Sequence, residues 1–369
     1  MKIVFDAFWW GGGPPSLRHV MREIVLMWAK RYPLDELVLV TRTKHHAASR
    51  DDIPANATVH ESAVWPQAFF AAGTAARIAR QEDADAIVTH NFAPRSPDRV
   101  SAIYLHDVLF ETNPEMFTPL ELRYFALMTR WVRHADLVFT SSYSEADRIR
   151  QNTHARRVIP VGLGLSEELI QPGALEERHP GLTADSYLLT VGRLNVRKNL
   201  ERTLDAAIAS GVLSVTFPLV VVGSPGGKEV ELSAPVREAI ADGRIVFTGF
   251  VSEARLRWLY RNTALFMFLS LGEGFGMPPV EAAHFGAPVL ASDLAVLREN
   301  LGARARYVDP TDTEAIRDAI LRCLNFPAPQ VPLVDGDSLA SQHNWAASVD
   351  AMRTAVVAAR LAQTSRVSA

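Results

Sequence analysis

Short apolar runs alternate with longer amphipathic stretches along almost the whole chain. In the first half the apolar runs fall at 2–6, 37–41, 86–90, 102–106, 137–141 and 157–161. They are brief and rich in Val, Ile and Leu, as expected of strands buried on both faces. Between most of them lie stretches with helical spacing, such as 16–30 and 120–134. A second set of strand-like runs follows at 187–191, 219–223, 245–248, 265–270, 289–291 and 305–308. Strand and helix in regular alternation predict parallel sheets covered by helices. The stretch 162–186 loses periodicity, is rich in Pro, Gly and Glu, and reads as a linker. Prolines between 327 and 332 break the chain again, and a last helix is predicted over 345–362. The expected fold class is α/β, with two doubly wound Rossmann-like domains at 1–170 and 171–344.

Composition narrows the function. The chain has 369 residues, 48% hydrophobic and 21% charged, enough for large cores. A net charge of −3 argues against general nucleic-acid binding. The single cysteine, Cys323, excludes an internal disulfide and a cysteine-based zinc site. The opening Met1-Lys-Ile-Val-Phe-Asp6 reads at once as a strand, not as a signal peptide. No apolar run approaches the roughly 20 residues of a membrane helix. A cytoplasmic protein is expected.

The chemistry concentrates in Ser270-Leu-Gly-Glu-Gly-Phe-Gly-Met-Pro-Pro-Val-Glu281. It joins a buried apolar run to a helix predicted to start near Pro278. The glycines Gly274 and Gly276 let backbone N–H groups approach a ligand, and a helix N-terminus suits phosphate. Glu273 on the loop and Glu281, expected in the first helical turn, are hydroxyl acceptors rather than phosphate ligands. A second cluster, Leu188-Leu-Thr-Val-Gly-Arg-Leu-Asn-Val-Arg-Lys-Asn199, places Arg193 at the strand's carboxyl edge and Lys198 at the opening of the next helix. Ligands of open α/β sheets bind at that edge. Arg brings a planar fork and Lys a point charge. Cations, phosphate cradle and hydroxyl acceptors together fit a nucleotide-diphosphate sugar.

These motifs, G-R-L-x-x-R-K-N and, some eighty residues on, E-G-F-G-x-P-x-x-E-A, resemble the retaining GT-B glycosyltransferases of family 4. Ala282, the run Pro288-Val-Leu-Ala-Ser292 and Gly249-Phe-Val-Ser252 extend the resemblance. In the first half, Tyr104-Leu-His-Asp-Val108, Asn113-Pro-Glu-Met-Phe117 and Ala135-Asp-Leu-Val-Phe-Thr-Ser-Ser-Tyr-Ser144 look like the bacterial mannosyl- and rhamnosyltransferase branch, which builds surface polysaccharides. The resemblance implies two domains facing a central cleft, with an acceptor-side first domain joined by the helix 345–362. It implies retaining transfer of a hexose from a nucleotide-diphosphate sugar, with GDP-mannose favoured and UDP- or dTDP-sugars next. A glycan or lipid-linked acceptor would receive it. His106 would reach sugar hydroxyls at the reaction centre, and Asp107 would orient a neighbour or contact the acceptor. Glu273 would hold sugar hydroxyls and Glu281 the ribose. The backbone around Phe250 and Val251 would meet the base. Arg193, Lys198 and the helix dipole at 277–280 would stabilise the leaving diphosphate, with Gly274, Phe275 and Gly276 as the loop that binds the substrate. Gly12 and Gly13 lie where family members carry a glycine pair, although Pro14 and Pro15 depart from the commonest pattern and remove two N–H donors.

No cofactor and no catalytic metal are expected. Asp83-Ala-Asp85 spells D-x-D but precedes its strand, Asp335-Gly-Asp337 has no strand before it, and His45, His46 and His90 lack ligand spacing. Arg123, Arg130, Arg133 and His134, with Leu127, Met128 and Trp131, suggest a peripheral membrane contact on one helix. Three other readings stand beside the transferase: a nucleotide-sugar hydrolase or epimerase, a non-catalytic scaffold of another transferase, and a dinucleotide-dependent oxidoreductase. The last predicts an acidic end to strand two, where the chain instead reads Val40-Thr-Arg-Thr-Lys44.

Overall fold

The structure is a computed structural model describing residues 1–43, 52–96, 98–192, 195–223, 232–326 and 339–367. The chain divides into two compact units. The first comprises Met1–Thr112, Pro119–Gly164 and His343–Ala369, and the second Asn113–Thr118 and Leu165–Gln342.

The first unit is built on a seven-stranded parallel sheet. Its strands are β1 (Lys2–Asp6), β2 (Glu36–Arg42), β3 (Ala57–Ser62), β4 (Ala86–His90), β5 (Val100–Tyr104), β6 (Leu137–Thr140) and β7 (Val158–Pro160), in the order β3-β2-β1-β4-β5-β6-β7. The central strands β4 and β5 are buried at every residue, which explains their mostly apolar character. β3 was not expected. It reads Ala-Thr-Val-His-Glu-Ser and lies at the sheet edge, half exposed, so it carries no apolar run. The predicted strand 102–106 is displaced: β5 starts earlier and stops at Tyr104, so His106 lies in the loop beyond it.

The long terminal helix Trp345–Val367 packs on the first helix, Pro15–Arg31. Carboxylates fasten it, two of them by paired guanidinium contacts. Asp35, 2% exposed, accepts the Arg353 fork at 2.8 and 3.1 Å and Trp28 Nε1 at 3.0 Å. Asp350 on the helix accepts the Arg31 fork at 2.9 and 2.8 Å and the Tyr32 hydroxyl at 2.6 Å.

The second unit holds a six-stranded parallel sheet. Its strands are β8 (Leu188–Val191), β9 (Leu219–Val222), β10 (Ile245–Gly249), β11 (Leu265–Phe268), β12 (Val289–Ser292) and β13 (Ala305–Val308), in the order β10-β9-β8-β11-β12-β13. Its core packs Leu200 and Leu204 of one covering helix and Ile316, Ile320 and Cys323 of another on Leu188, Leu219, Met267 and Leu290. Each sheet reverses direction of growth beside its first strand, which leaves a switch point at the carboxyl edge. Among the described residues, no helix is long and apolar enough to cross a membrane.

Candidate active site

At the carboxyl edge of the second sheet, β11 runs into the loop 269–276 and the helix Met277–His284. Gly276 caps that helix at φ +86°, and a Cβ there would lie 2.5 Å from Leu297 Cδ2, so only glycine fits. Pro278 and Pro279 carry no N–H, so they remove two of the donors that a helix's first turn would otherwise present. The helix starts one residue earlier than expected. Glu281 therefore sits beyond the first turn, which contains no acidic residue.

Two side chains brace the loop from outside. Asn300 Nδ2 donates to Phe275 O at 2.7 Å, and Ser292 Oγ donates to Ser270 O at 2.7 Å. A third brace comes from β8. After Gly192 the chain forms a 3₁₀ turn, Val196–Lys198, capped by Asn195 Oδ1 accepting from Lys198 N at 3.1 Å. Lys198 thus ends this turn rather than opening the following helix, which starts at Leu200 after Asn199 at φ 55°. Arg197 O accepts from Leu271 N at 2.8 Å and ties the turn to the loop. Arg193 and Leu194 lie outside the described residues.

The turn brings cations to Glu273. Lys198 Nζ donates to Glu273 Oε1 at 2.6 Å, and Arg197 Nη1 lies 3.5 Å from Glu273 Oε2. Lys198 also stands 4.4 Å over the Phe268 ring. Burial alone would raise the Glu273 pKa, but the Lys198 and Arg197 charges outweigh it and hold the carboxyl below its ordinary range. Arg197 was missed as a site residue although it stands in the same R-K-N run; its place against the loop depends on the 3₁₀ turn.

Glu281 is placed differently. Its Oε2 accepts from the buried Tyr260 hydroxyl at 2.8 Å. Burial raises its pKa to about 7, against the lowering effect of the Tyr260 bond. Glu273 and Glu281 therefore have distinct surroundings, one paired with cations and one with a phenol. Val251, 9% exposed, follows β10, while its neighbour Phe250 is 83% exposed. Gly274 and Phe275 are buried within the loop.

In the first unit, His106 and Asp107 follow β5. His106 stacks on His90 at 5.7 Å and 30°, and meets the Tyr104 ring edge-on at 4.9 Å. Burial lowers its pKa to about 4, so the imidazole is neutral at pH 7. Asp107 Oδ1 accepts from Leu109 N at 3.3 Å. Beneath this loop lies Glu145, fully buried, whose Oε1 accepts from Val108 N at 2.9 Å. Burial, then the nearby Asp107, push its pKa up to about 8, against the Arg148 partner. Glu145 was not anticipated, although Ser142-Tyr-Ser-Glu145 carries the S-x-x-E signature of a helix start. Ser142 Oγ accepts from Glu145 N at 3.0 Å, as that signature predicts, but the carboxylate turns to the His106 loop instead.

Gly12 N donates to Trp9 O at 3.2 Å in the turn after β1, and Gly13, at φ +93°, lies against the Trp9 indole. Pro15 is the first helical residue behind it. The D-x-D residues sit at the amino edge of β4, where Asp83 pairs with Arg99 and Asp85 with Arg360. Asp335, Asp337, His45 and His46 lie outside the described residues. Among the described residues, no group of three or more His, Cys, Asp or Glu is arranged to hold a metal. On the helix Pro119–Trp131 and the turn after it, Arg123, Arg130, Arg133 and His134 are exposed, whereas Met128 is buried and Leu127 and Trp131 are half-buried.

The family model described as Glycosyl transferases group 1 matches residues 185–325. The chain is 29% identical over 250 residues to the O-antigen chain mannosyltransferase B of Escherichia coli, covering 65% of each chain. It is 27% identical over 235 residues to the serotype-specific mannosyltransferase WbdA of the same organism, covering 60% of this chain and 29% of that one. It thus spans less than two thirds of the length of these relatives. Among solved structures, Anabaena Alr3699/HepE in complex with UDP and glucose superposes with a TM-score of 0.62 at 17% identity, over 100% of this chain and 99% of that one. Residues 185–325 thus match the glycosyl transferases group 1 model, and the two parallel sheets carry the GT-B fold.

Proposed function

We propose that the chain transfers a hexose, with retention, from a nucleotide-diphosphate sugar to a hydroxyl of a glycan or lipid-linked glycan in cell-surface polysaccharide synthesis. The observation that carries this is the meeting of Lys198, Arg197 and Glu273 beside a glycine loop at the carboxyl edge of β8 and β11. A cation pair next to helix N–H groups can neutralise a leaving diphosphate, and preorganised charges of this kind contribute strongly to transition-state stabilisation. The carboxylate beside them suits hydroxyls of the sugar. Glu281 is assigned the ribose, the backbone at Val251 the base, and Arg193 the diphosphate with Lys198. His106, neutral and set on the first unit, is assigned to the reaction centre, with Asp107 on the acceptor side and Gly12 and Gly13 near the donor phosphate or the acceptor.

The mannosyltransferase names of the relatives favour mannose as the sugar, and the family resemblance of the motifs favours GDP as its carrier. UDP-sugars are the second choice, since a structure of this fold is described with UDP and glucose. The exposed Arg123, Arg130 and Arg133 support peripheral contact with an anionic membrane from the cytoplasmic side. Thermal shifts across GDP-, UDP- and dTDP-sugars test the donor. A ligand present at about 100 times its Kd stabilises by about 2.7 kcal/mol. GDP-mannose is expected to shift the transition most; no shift with any of them counts against the donor site. A hydrolase or epimerase of the same architecture predicts turnover that is indifferent to added glycan.

A further inference from the structure

Three carboxyl strand ends of the first unit bring an aromatic group together that no assigned role uses. Phe8 and Trp9 follow β1, Arg42 ends β2, and Trp65 follows β3. Trp65 is 59% exposed, whereas Phe8 is fully buried. The two rings stack at 5.6 Å and 24°. The Arg42 guanidinium lies 4.6 Å over the Trp65 ring and 5.0 Å from the Phe8 ring. Were Phe8 and Arg42 on opposite faces of the indole, their separation would approach the sum of their distances to it. At 5.0 Å they share one face. Trp9 stands at 86° to the indole with ring centres 6.2 Å apart. Trp9 is fixed in turn: its Nε1 donates to Gln67 Oε1 at 3.0 Å, and Gln67 Nε2 donates to the buried Asp6 Oδ2 at 3.1 Å.

The result is a flat aromatic surface backed on one face and exposed on the other. An exposed tryptophan held by a stack, a cation and a perpendicular ring loses little freedom when a ligand covers it. A single exposed apolar side chain is ordinary; this one differs in being held in place by three neighbours. Its place at the carboxyl edge, beside the switch point between β1 and β4, is where ligands of open sheets bind. The chemistry that matches a flat indole is the C–H face of a pyranose, whose hydroxyls stay at the rim. We infer that Trp65 is a platform on which a neutral hexose ring of the acceptor glycan stacks. This rests on the first unit being the acceptor side.

The test compares the full chain with Trp65→Ala, Trp65→Leu and Trp65→Phe, using α-linked mannobiose to mannotetraose as probes in calorimetry. GDP is titrated in parallel as a check of folding and of the donor site. Trp65→Ala and Trp65→Leu are expected to weaken oligosaccharide binding by about tenfold or more, the loss of one stacked aromatic contact. Trp65→Phe should retain most of the affinity, because a flat ring remains. GDP affinity should stay at the parental value in all three, and the acceptor KM should rise without a change in the donor KM. Equal oligosaccharide affinity in the parent and Trp65→Ala, or Trp65→Leu matching Trp65→Phe, overturns the platform. So does a parent that binds none of the oligosaccharides. If Trp65→Ala instead loses retention on anionic vesicles while its oligosaccharide affinity holds, the surface belongs to a lipid face. Failure of GDP to bind the parent contradicts the donor assignment alone and leaves the oligosaccharide comparison decisive for Trp65.

Discussion

Lys198 Nζ and Glu273 Oε1, 75 positions apart in sequence, meet at 2.6 Å with side-chain exposures of 15% and 7%. The pair places the proposed phosphate cation and the proposed sugar acceptor in direct contact. A donor would have to part them, with phosphate taking the lysine and sugar hydroxyls taking the carboxylate.

Lys198→Met removes the closer cation. Turnover is expected to fall by roughly 10²–10³, the range for one lost charge stabiliser. The variant should also be less stable by up to about 3–5 kcal/mol, since a buried carboxylate is left with a weaker partner. Arg197, at 3.5 Å, limits that loss. Glu273 is held below its ordinary range, so its contribution is present above the unfolded carboxylate value, about 4.3, and lost as pH falls through the depressed one. Urea melts at pH 7 and at lower pH should converge for parent and variant. Unchanged turnover would remove Lys198 from the diphosphate site.

Glu281 should give nucleotide binding a pH dependence. With its pKa near 7, the carboxylate is half ionised at neutral pH. Affinity for free GDP should rise as pH increases through 7, and Glu281→Gln should abolish that rise. Tyr260→Phe removes a bond that lowers the pKa, so the rise should move to higher pH. The sign for stability is opposite. A raised carboxylate value stabilises the fold below the unfolded value, about 4.3, and that contribution is lost as pH climbs through about 7. Calorimetry at several pH values reads the first effect, and chemical denaturation the second.

The two glutamates should separate kinetically. Glu273→Gln should mainly lower kcat, because contacts to the sugar change as the glycosidic bond breaks. Glu281→Gln should mainly raise the donor KM, because ribose contacts do not. Steady-state kinetics against donor concentration distinguishes the two, and the reverse pattern exchanges their roles.

The terminal helix should depend on Arg353. Burial would raise the Asp35 pKa, but the Arg353 fork, the Met1 amino group and Trp28 Nε1 bring it down to about 2. The stability this supplies is complete above about 3.9 and is lost as pH falls through about 2. Arg353→Leu should therefore lower the denaturation midpoint at pH 7 and move acid unfolding to higher pH, followed by circular dichroism.

Activity should persist in EDTA, because the charge at the proposed leaving group comes from Lys198 and Arg197 rather than from the D-x-D carboxylates. Loss on chelation with recovery on Mn²⁺ or Mg²⁺ would contradict this.

The sheet strands were largely legible because buried parallel strands are written around short apolar runs, as at 3–5 in β1 and 86–88 in β4. β3 was not, since an edge strand half in solvent has no such run. The glycine loop was legible from Gly274 and Gly276, the second of which the turn requires at φ +86°. Its partners were harder. Arg197 and Lys198 are adjacent in sequence, and only the 3₁₀ turn decides how each reaches Glu273. Tyr260 meets Glu281 from a different helix, and Glu145 reaches Val108 from the helix after β6. Such contacts depend on tertiary packing, which neither periodicity nor spacing encodes.

Mass spectrometry of a mannose-terminated oligosaccharide incubated with the full chain and GDP-mannose tests the proposed transfer most directly. The expected result is an acceptor extended by hexose, one GDP released per hexose added, and loss of both in Lys198→Met. GDP-mannose consumed while the acceptor stays unchanged, or an acceptor unchanged with every GDP-, UDP- and dTDP-sugar, would contradict it.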